Sequence, residues 1–113
     1  MFSLAKVFGK KEIIPEVLWA FRGKLPDSLH VSLTLSKDGG YVASVTDLPG
    51  CVTEGSNFIE LNQMINSAVF DYFEIPAQYI PHLSSYLPSK EVLEDMVRRG
   101  ERIPKSALVF EKV

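Results

Sequence analysis

Hydrophobic and polar residues alternate strictly from His30 to Ser36. Val31, Leu33 and Leu35 point one way, and His30, Ser32, Thr34 and Ser36 the other. That period of two predicts a half-buried strand. Lys37-Asp38-Gly39-Gly40 follows, and Asp-Gly supplies the positive φ values of a tight hairpin turn. Tyr41 to Asp47 is then the returning antiparallel strand, closed by the turn residues Leu48-Pro49-Gly50. Cys51 to Glu54, partly β-branched, is a short third strand.

After Gly55 the period changes. Asn57 can cap a helix, and Glu60 three residues later completes a variant of the capping box. The helix is expected to run to about Glu74, because Pro76 stops it. Glu60, Gln63, Ser67, Asp71 and Glu74 form a polar stripe, and Phe58, Leu61, Ile65, Ala68 and Tyr72 the core stripe. Ile59, Val69, Phe70 and Phe73 are apolar residues outside that stripe. One sheet face would not cover them all, so the terminal segments or a second chain must bury the rest.

The flanks are less legible. Glu16 to Gly23, after Pro15, fits a short helix or a strand, and the run is too short for periodicity to decide. Ala77 to Pro88, rich in proline, reads as an irregular packed connector. Ser89 caps a second helix to Gly100, with Val92, Leu93, Met96 and Val97 on its apolar face and Arg98 and Arg99 near its C-terminus. Ser106 to Val113 reads as a final strand. The expected class is α+β: an antiparallel sheet of three or more strands packed against one main helix, with a C-terminal helix and strand. The 113 residues suit a single domain, divided into an N-terminal extension (1–28), a core (29–75) and a C-terminal arm (76–113).

Composition narrows the function. The chain is 46% hydrophobic and 23% charged, with a net charge of −2. That argues against a chain-wide electrostatic footprint for nucleic acid. A single cysteine, Cys51, excludes an intrachain disulfide and a multi-cysteine metal site, and fits a reducing compartment. No apolar run approaches membrane-spanning length, and Met1 to Lys11 lacks the plan of a signal peptide, so a cytoplasmic location is expected.

Candidate chemistry is sparse. His30 and His82 are far apart in sequence, and a nucleophile pair of either with Cys51 needs a proximity the sequence does not show. A lone cysteine is more often a small buried hydrophobe. Among the carboxylates Asp38, Asp47, Glu54, Glu60 and Asp71, Asp38 has a turn role, Glu60 a capping role and Asp71 a solvated face. Gly39-Gly40 leads into no helix with a following lysine, so it is not a phosphate loop. Lys10-Lys11 and Arg98-Arg99, with Arg102 and Lys105, are the only basic clusters and read first as solvated charge. No catalytic group, cofactor or metal is expected.

The order Tyr41-Val-Ala-Ser-Val, Asp47-Leu-Pro-Gly-Cys51, Thr53, Gly55 and a helix with Glu60 near its start resembles the HicB-like antitoxin family, from about His30 to Ile75. The resemblance implies a partial ribonuclease H-like fold and no catalysis. It implies that the protein silences a small HicA-type mRNA-cleaving toxin by steric cover, as a dimer or tetramer. Tyr41, Asp47, Leu48, Pro49, Gly50, Cys51, Gly55 and Glu60 would be its structural motif. The chain departs from the family pattern at Thr46, where proline is common, and at Asn57 and Leu61, which replace a threonine cap and an alanine. One helix and one strand after Ser89 do not make a helix-turn-helix or ribbon-helix-helix, so direct DNA binding is not expected. The alternative is a stand-alone homo-oligomeric HicB-like binding or scaffold domain without a toxin.

A partner contact is expected on the C-terminal arm, at Val92, Met96, Arg98, Arg99 and Arg102, a mixture of apolar groups and arginine that suits an interface. Self-association is expected from Phe2, Phe8, Trp19, Phe21, Val109 and Phe110, with Ser106–Val113 as an edge strand pairing across chains.

Overall fold

The computed structural model describes residues 12–98 and 108–112. Pro15–Lys24 is helix α1, which settles the ambiguous first segment. Pro15 opens it, where a missing N–H costs nothing, and Glu16 and Arg22/Lys24 complement its dipole. Then come β1 (Ser28–Leu35), β2 (Tyr41–Val45), β3 (Val52–Gly55), helix α2 (Phe58–Tyr72), a 3-10 turn (Ala77–His82), β4 (Tyr86–Pro88), helix α3 (Lys90–Arg98) and β5 (Leu108–Lys112). The strands form one antiparallel sheet in the order β3-β2-β1-β5-β4. The class is α+β, as the pattern of residues predicts.

The hairpin register pairs Val31 with Val45, Leu33 with Ala43 and Leu35 with Tyr41. Leu29, Val31, Leu33, Ala43 and Val45 fill the buried face. Leu35 does not join them: it sits in the last pair before the turn, at the rim, and is 56% exposed. Periodicity gives its face correctly but not its distance from the helix.

Asn57 caps α2, its Oδ1 accepting the Glu60 N–H at 2.9 Å, while the Glu60 carboxylate accepts the Ser56 N–H at 2.6 Å. Two otherwise orphaned donors are thereby satisfied. The core stripe differs from the expected one. Leu61, Ile65 and Val69, four residues apart, are fully buried, whereas Tyr72 is exposed in the last turn. Phe70, on the far side of the helix from Leu61, is buried as well. The returning chain covers that side, and its Ile80 and Leu87 line a groove with Phe70. Ile59 remains exposed.

The expected irregular connector is ordered: it holds the 3-10 turn and β4. Tyr86, fully buried, donates its phenol O–H to the Pro26 carbonyl at 2.5 Å. Burial, and then the charge of Asp27, push its pKa up to about 12. The last strand is also placed differently from expectation. β5 lies between β1 and β4, bonded to both, so it is no free edge for pairing across chains. Its Leu108 and Phe110 are core residues, as is Tyr86 of β4. Residues 108–112 therefore do not form an arm beyond the core. Ser106 and Val113 lie outside the described residues, as do Phe2 and Phe8. Of the other residues expected to drive association, Trp19 is 74% exposed, but Phe21 packs edge-on against Tyr79 with ring centroids 5.3 Å apart.

Candidate functional site

The segment Asp47–Cys51 connects β2 to β3 as a tight double turn. Leu48 N–H donates to the Val45 carbonyl and Cys51 N–H to the Leu48 carbonyl, both at 3.0 Å, and Val45 N–H returns to the Cys51 carbonyl at 2.9 Å. Gly50 has φ +84°, a left-handed conformation that glycine adopts without penalty. Leu48 and Cys51 face the core, and Pro49 and Gly50 face solvent.

His30 fixes this turn to β1. The Asp47 Oδ2 atom accepts the His30 backbone N–H at 2.8 Å and lies 3.0 Å from His30 Nδ1. In return the His30 carbonyl accepts Thr46 N–H at 2.8 Å and Thr46 Oγ1–H at 3.2 Å. The backbone N–H of His30, then its ring, lower the Asp47 pKa below the ordinary carboxylate value. The sequence gives no sign of this pairing, because it depends on the register of β1 against β2.

A depressed carboxylate pKa makes stability depend on acid. The contribution is present above the unfolded value of about 3.9 and is lost as pH falls through the lower folded value. Asp47→Asn is expected to unfold at a lower urea concentration than the parent near neutral pH. The gap should close as pH falls below about 4. The effect is modest, since both side chains are substantially exposed. Urea midpoints across an acid series check it; a gap that stays constant would mean the carboxylate charge is not the cause.

The other candidates take structural places. Burial pushes the Cys51 thiol pKa up, the direction opposite to an activated nucleophile. Tyr41 is half-buried at the sheet end, paired with Leu35 and Gly55. Gly55 passes so close under α2 that a Cβ there would lie 2.7 Å from the Leu61 N and Cα atoms. His82 offers its backbone carbonyl to Arg22 Nη2 at 3.1 Å.

Asp38, Glu54 and Glu60 come together around a groove of about 420 Å³ between the β1–β2 hairpin and the start of α2. Ser36 Oγ bonds the Asp38 carboxylate, and that bond leads the lowering of its pKa. Asp71 lines the other groove, with Asn62, Asn66 and Phe70. Among the described residues, no group of three or more His, Cys, Asp or Glu is arranged to hold a metal ion. No described helix is long and apolar enough to cross a membrane.

On α3, Ser89 caps the first turn, its Oγ accepting Val92 N–H at 3.4 Å. Val92 packs against the core, while Leu93, Val97 and Arg98 are exposed. Met96 lies on the same helix. Arg99 and Arg102 lie outside the described residues, as do Gly100, Lys10, Lys11 and Lys105. No family model matches the chain, and no curated protein or solved structure matches it.

Proposed function

We propose that the chain is an antitoxin-like binding protein of HicB type, acting in the cytoplasm. It neutralises a small HicA-type ribonuclease by steric cover and has no chemistry of its own. One observation carries this reading: the Asp47–Cys51 turn stands between two antiparallel strands and ahead of a capped helix, the setting that the motif resemblance implies. The structural work of Asp47, Gly55 and Glu60 agrees with a scaffold motif. A stand-alone homo-oligomeric binding domain is the second reading, and the exposed Trp19, Ile59 and Val97 favour it.

The test is co-expression in a bacterial host of a HicA-type ribonuclease encoded beside this chain, with and without the full chain. Restored growth and a co-purifying complex are expected. No protection and no complex would end the antitoxin reading. A chain cut at Ser85 is a poor probe of the C-terminal contact, because it lacks Tyr86, Leu108 and Phe110 of the core. Leu93→Glu with Val97→Glu is the better one, since both side chains face solvent on α3. Loss of the complex without a change in melting temperature is expected if α3 is the contact, and an unchanged complex rejects that placement.

A further inference from the structure

The two edges of the sheet are built differently. At β4, Ser89 N–H donates to the Val109 carbonyl at 2.8 Å, so Leu87 and Ser89 face β5 and the backbone groups of Tyr86 and Pro88 turn outward. Pro88 has no N–H to offer. Tyr86 N–H donates to Asn66 Oδ1 at 2.7 Å, and the Tyr86 carbonyl accepts from Asn66 Nδ2 at 3.0 Å. One side-chain amide thus stands where a further strand would pair.

Among the described residues, the β3 edge has no such cover. Val45 N–H donates to the Cys51 carbonyl, so Cys51, Thr53 and Gly55 face β2, and Val52 and Glu54 point their N–H and C=O groups away from the sheet. No hydrogen bond among the described residues uses these outward groups. Val52 is 56% exposed, a β-branched side chain on an open edge. Unpaired edge groups of this kind are a template for an added strand.

We infer that β3 is a strand-addition site for an extended cationic segment of a partner protein. The charge of the surroundings selects that occupant. Glu54 lies on the edge itself, and the groove at its C-terminal end is lined by Asp38, Glu54 and Glu60 and, among the described residues, by no lysine or arginine. Lys37 belongs to the same hairpin but does not line it. Side chains of an added strand alternate between the two sheet faces. One set runs beside Val52 and Glu54, and the other lies on the α2 side, toward the groove. A lysine or arginine in either set meets a carboxylate. A second copy of this chain would instead bring the same carboxylates toward one another. The inference rests on the reading of the chain as a partner-binding protein and places a contact on the sheet edge opposite β4, separate from the one tested on α3.

The experiment uses the full chain with nitrogen-15 labelling and two synthetic peptides, one alternating threonine and lysine and one alternating threonine and glutamate. The lysine peptide is expected to slow hydrogen exchange at the Val52 and Glu54 amides by roughly tenfold or more and to bind at least about tenfold tighter than the glutamate peptide. Val52→Pro removes an outward donor and leaves the ladder to β2 intact, so it should weaken the lysine peptide about tenfold. If that variant unfolds, Glu54→Lys serves instead and should shift preference toward the glutamate peptide. Equal affinities for the two peptides, or binding without protection of those amides, overturns the inference. So does protection in the peptide-free chain that grows with its concentration, which places a second copy on the edge. A chain that binds the lysine peptide here but fails to neutralise the ribonuclease keeps the site and loses the antitoxin reading. A Val52→Pro chain that neutralises it fully loses the site alone.

Discussion

Replacing Phe110 with alanine is expected to lower the unfolding free energy by about 3–5 kcal/mol. Phe110 is fully buried in β5, paired with Leu29 on one side and Pro88 on the other. Its ring belongs to the core cluster that also holds Tyr86, Leu108 and Ile65. Removing the ring loses the transfer free energy of its carbons and leaves a cavity that an interior strand, bonded on both sides, cannot collapse to fill. Set against a total stability of about 5–15 kcal/mol for a domain of this kind, that leaves a marginal protein. The urea midpoint should fall steeply with little change in slope. An unfolding free energy within about 1 kcal/mol of the parent would mean that β5 is not part of the cooperative core. By the same reasoning, a chain ending at Ser85 loses Tyr86, Leu108 and Phe110 together and should show no cooperative transition.

The central hairpin and its helix are legible in the sequence because each has a local cause. Val31 and Leu33 alternate with polar residues, Gly39 closes the turn as the one residue of the expected Asp38-Gly39 pair at positive φ, and Asn57 with Glu60 marks the helix start. Other features have no local cause. β4 is only three residues long and ends in Pro88, so no period is visible in it. The place of β5 inside the sheet depends on which strands it meets, and its own residues read the same at an edge or at the centre. Leu35 and Tyr72 show that a period names a face but not how far the opposing layer extends. The His30–Asp47 and Asn66–Tyr86 bonds join residues 17 and 20 positions apart, and both follow from tertiary register. Of the candidate site, the Asp47–Cys51 turn was visible as a motif. The asymmetry of the two sheet edges was not, because an edge is defined by the strand that is missing.

Gly55→Ala is expected to destabilise the fold by about 3 kcal/mol, a fall in melting temperature of roughly 10–20 °C. The added Cβ would lie 2.7 Å from both the N and the Cα of Leu61, closer than carbon atoms approach without displacement. Both are backbone atoms in the first turn of α2, so no rotamer change relieves the contact. Nor can the turn shift freely. Leu61 N–H donates to the Asn57 carbonyl at 2.9 Å, the Asn57 side chain holds the Glu60 N–H, and the Leu61 side chain is fully buried. On the other side, Gly55 is paired with Tyr41 across the β2–β3 ladder, so the strand end cannot retreat without breaking that pairing. Gly23→Ala supplies the contrast. Gly23 lies in α1 with nothing within 4 Å of its would-be Cβ, so the same substitution there is expected to stabilise by about 0.5–1 kcal/mol through the entropy of the unfolded chain. Opposite signs for one chemical change at two glycines isolate the close approach of β3 to α2 as the cause. If both variants instead melt within about 2 °C of the parent, the contact at Gly55 is soft. The position would then owe its glycine to something other than the packing of helix on strand.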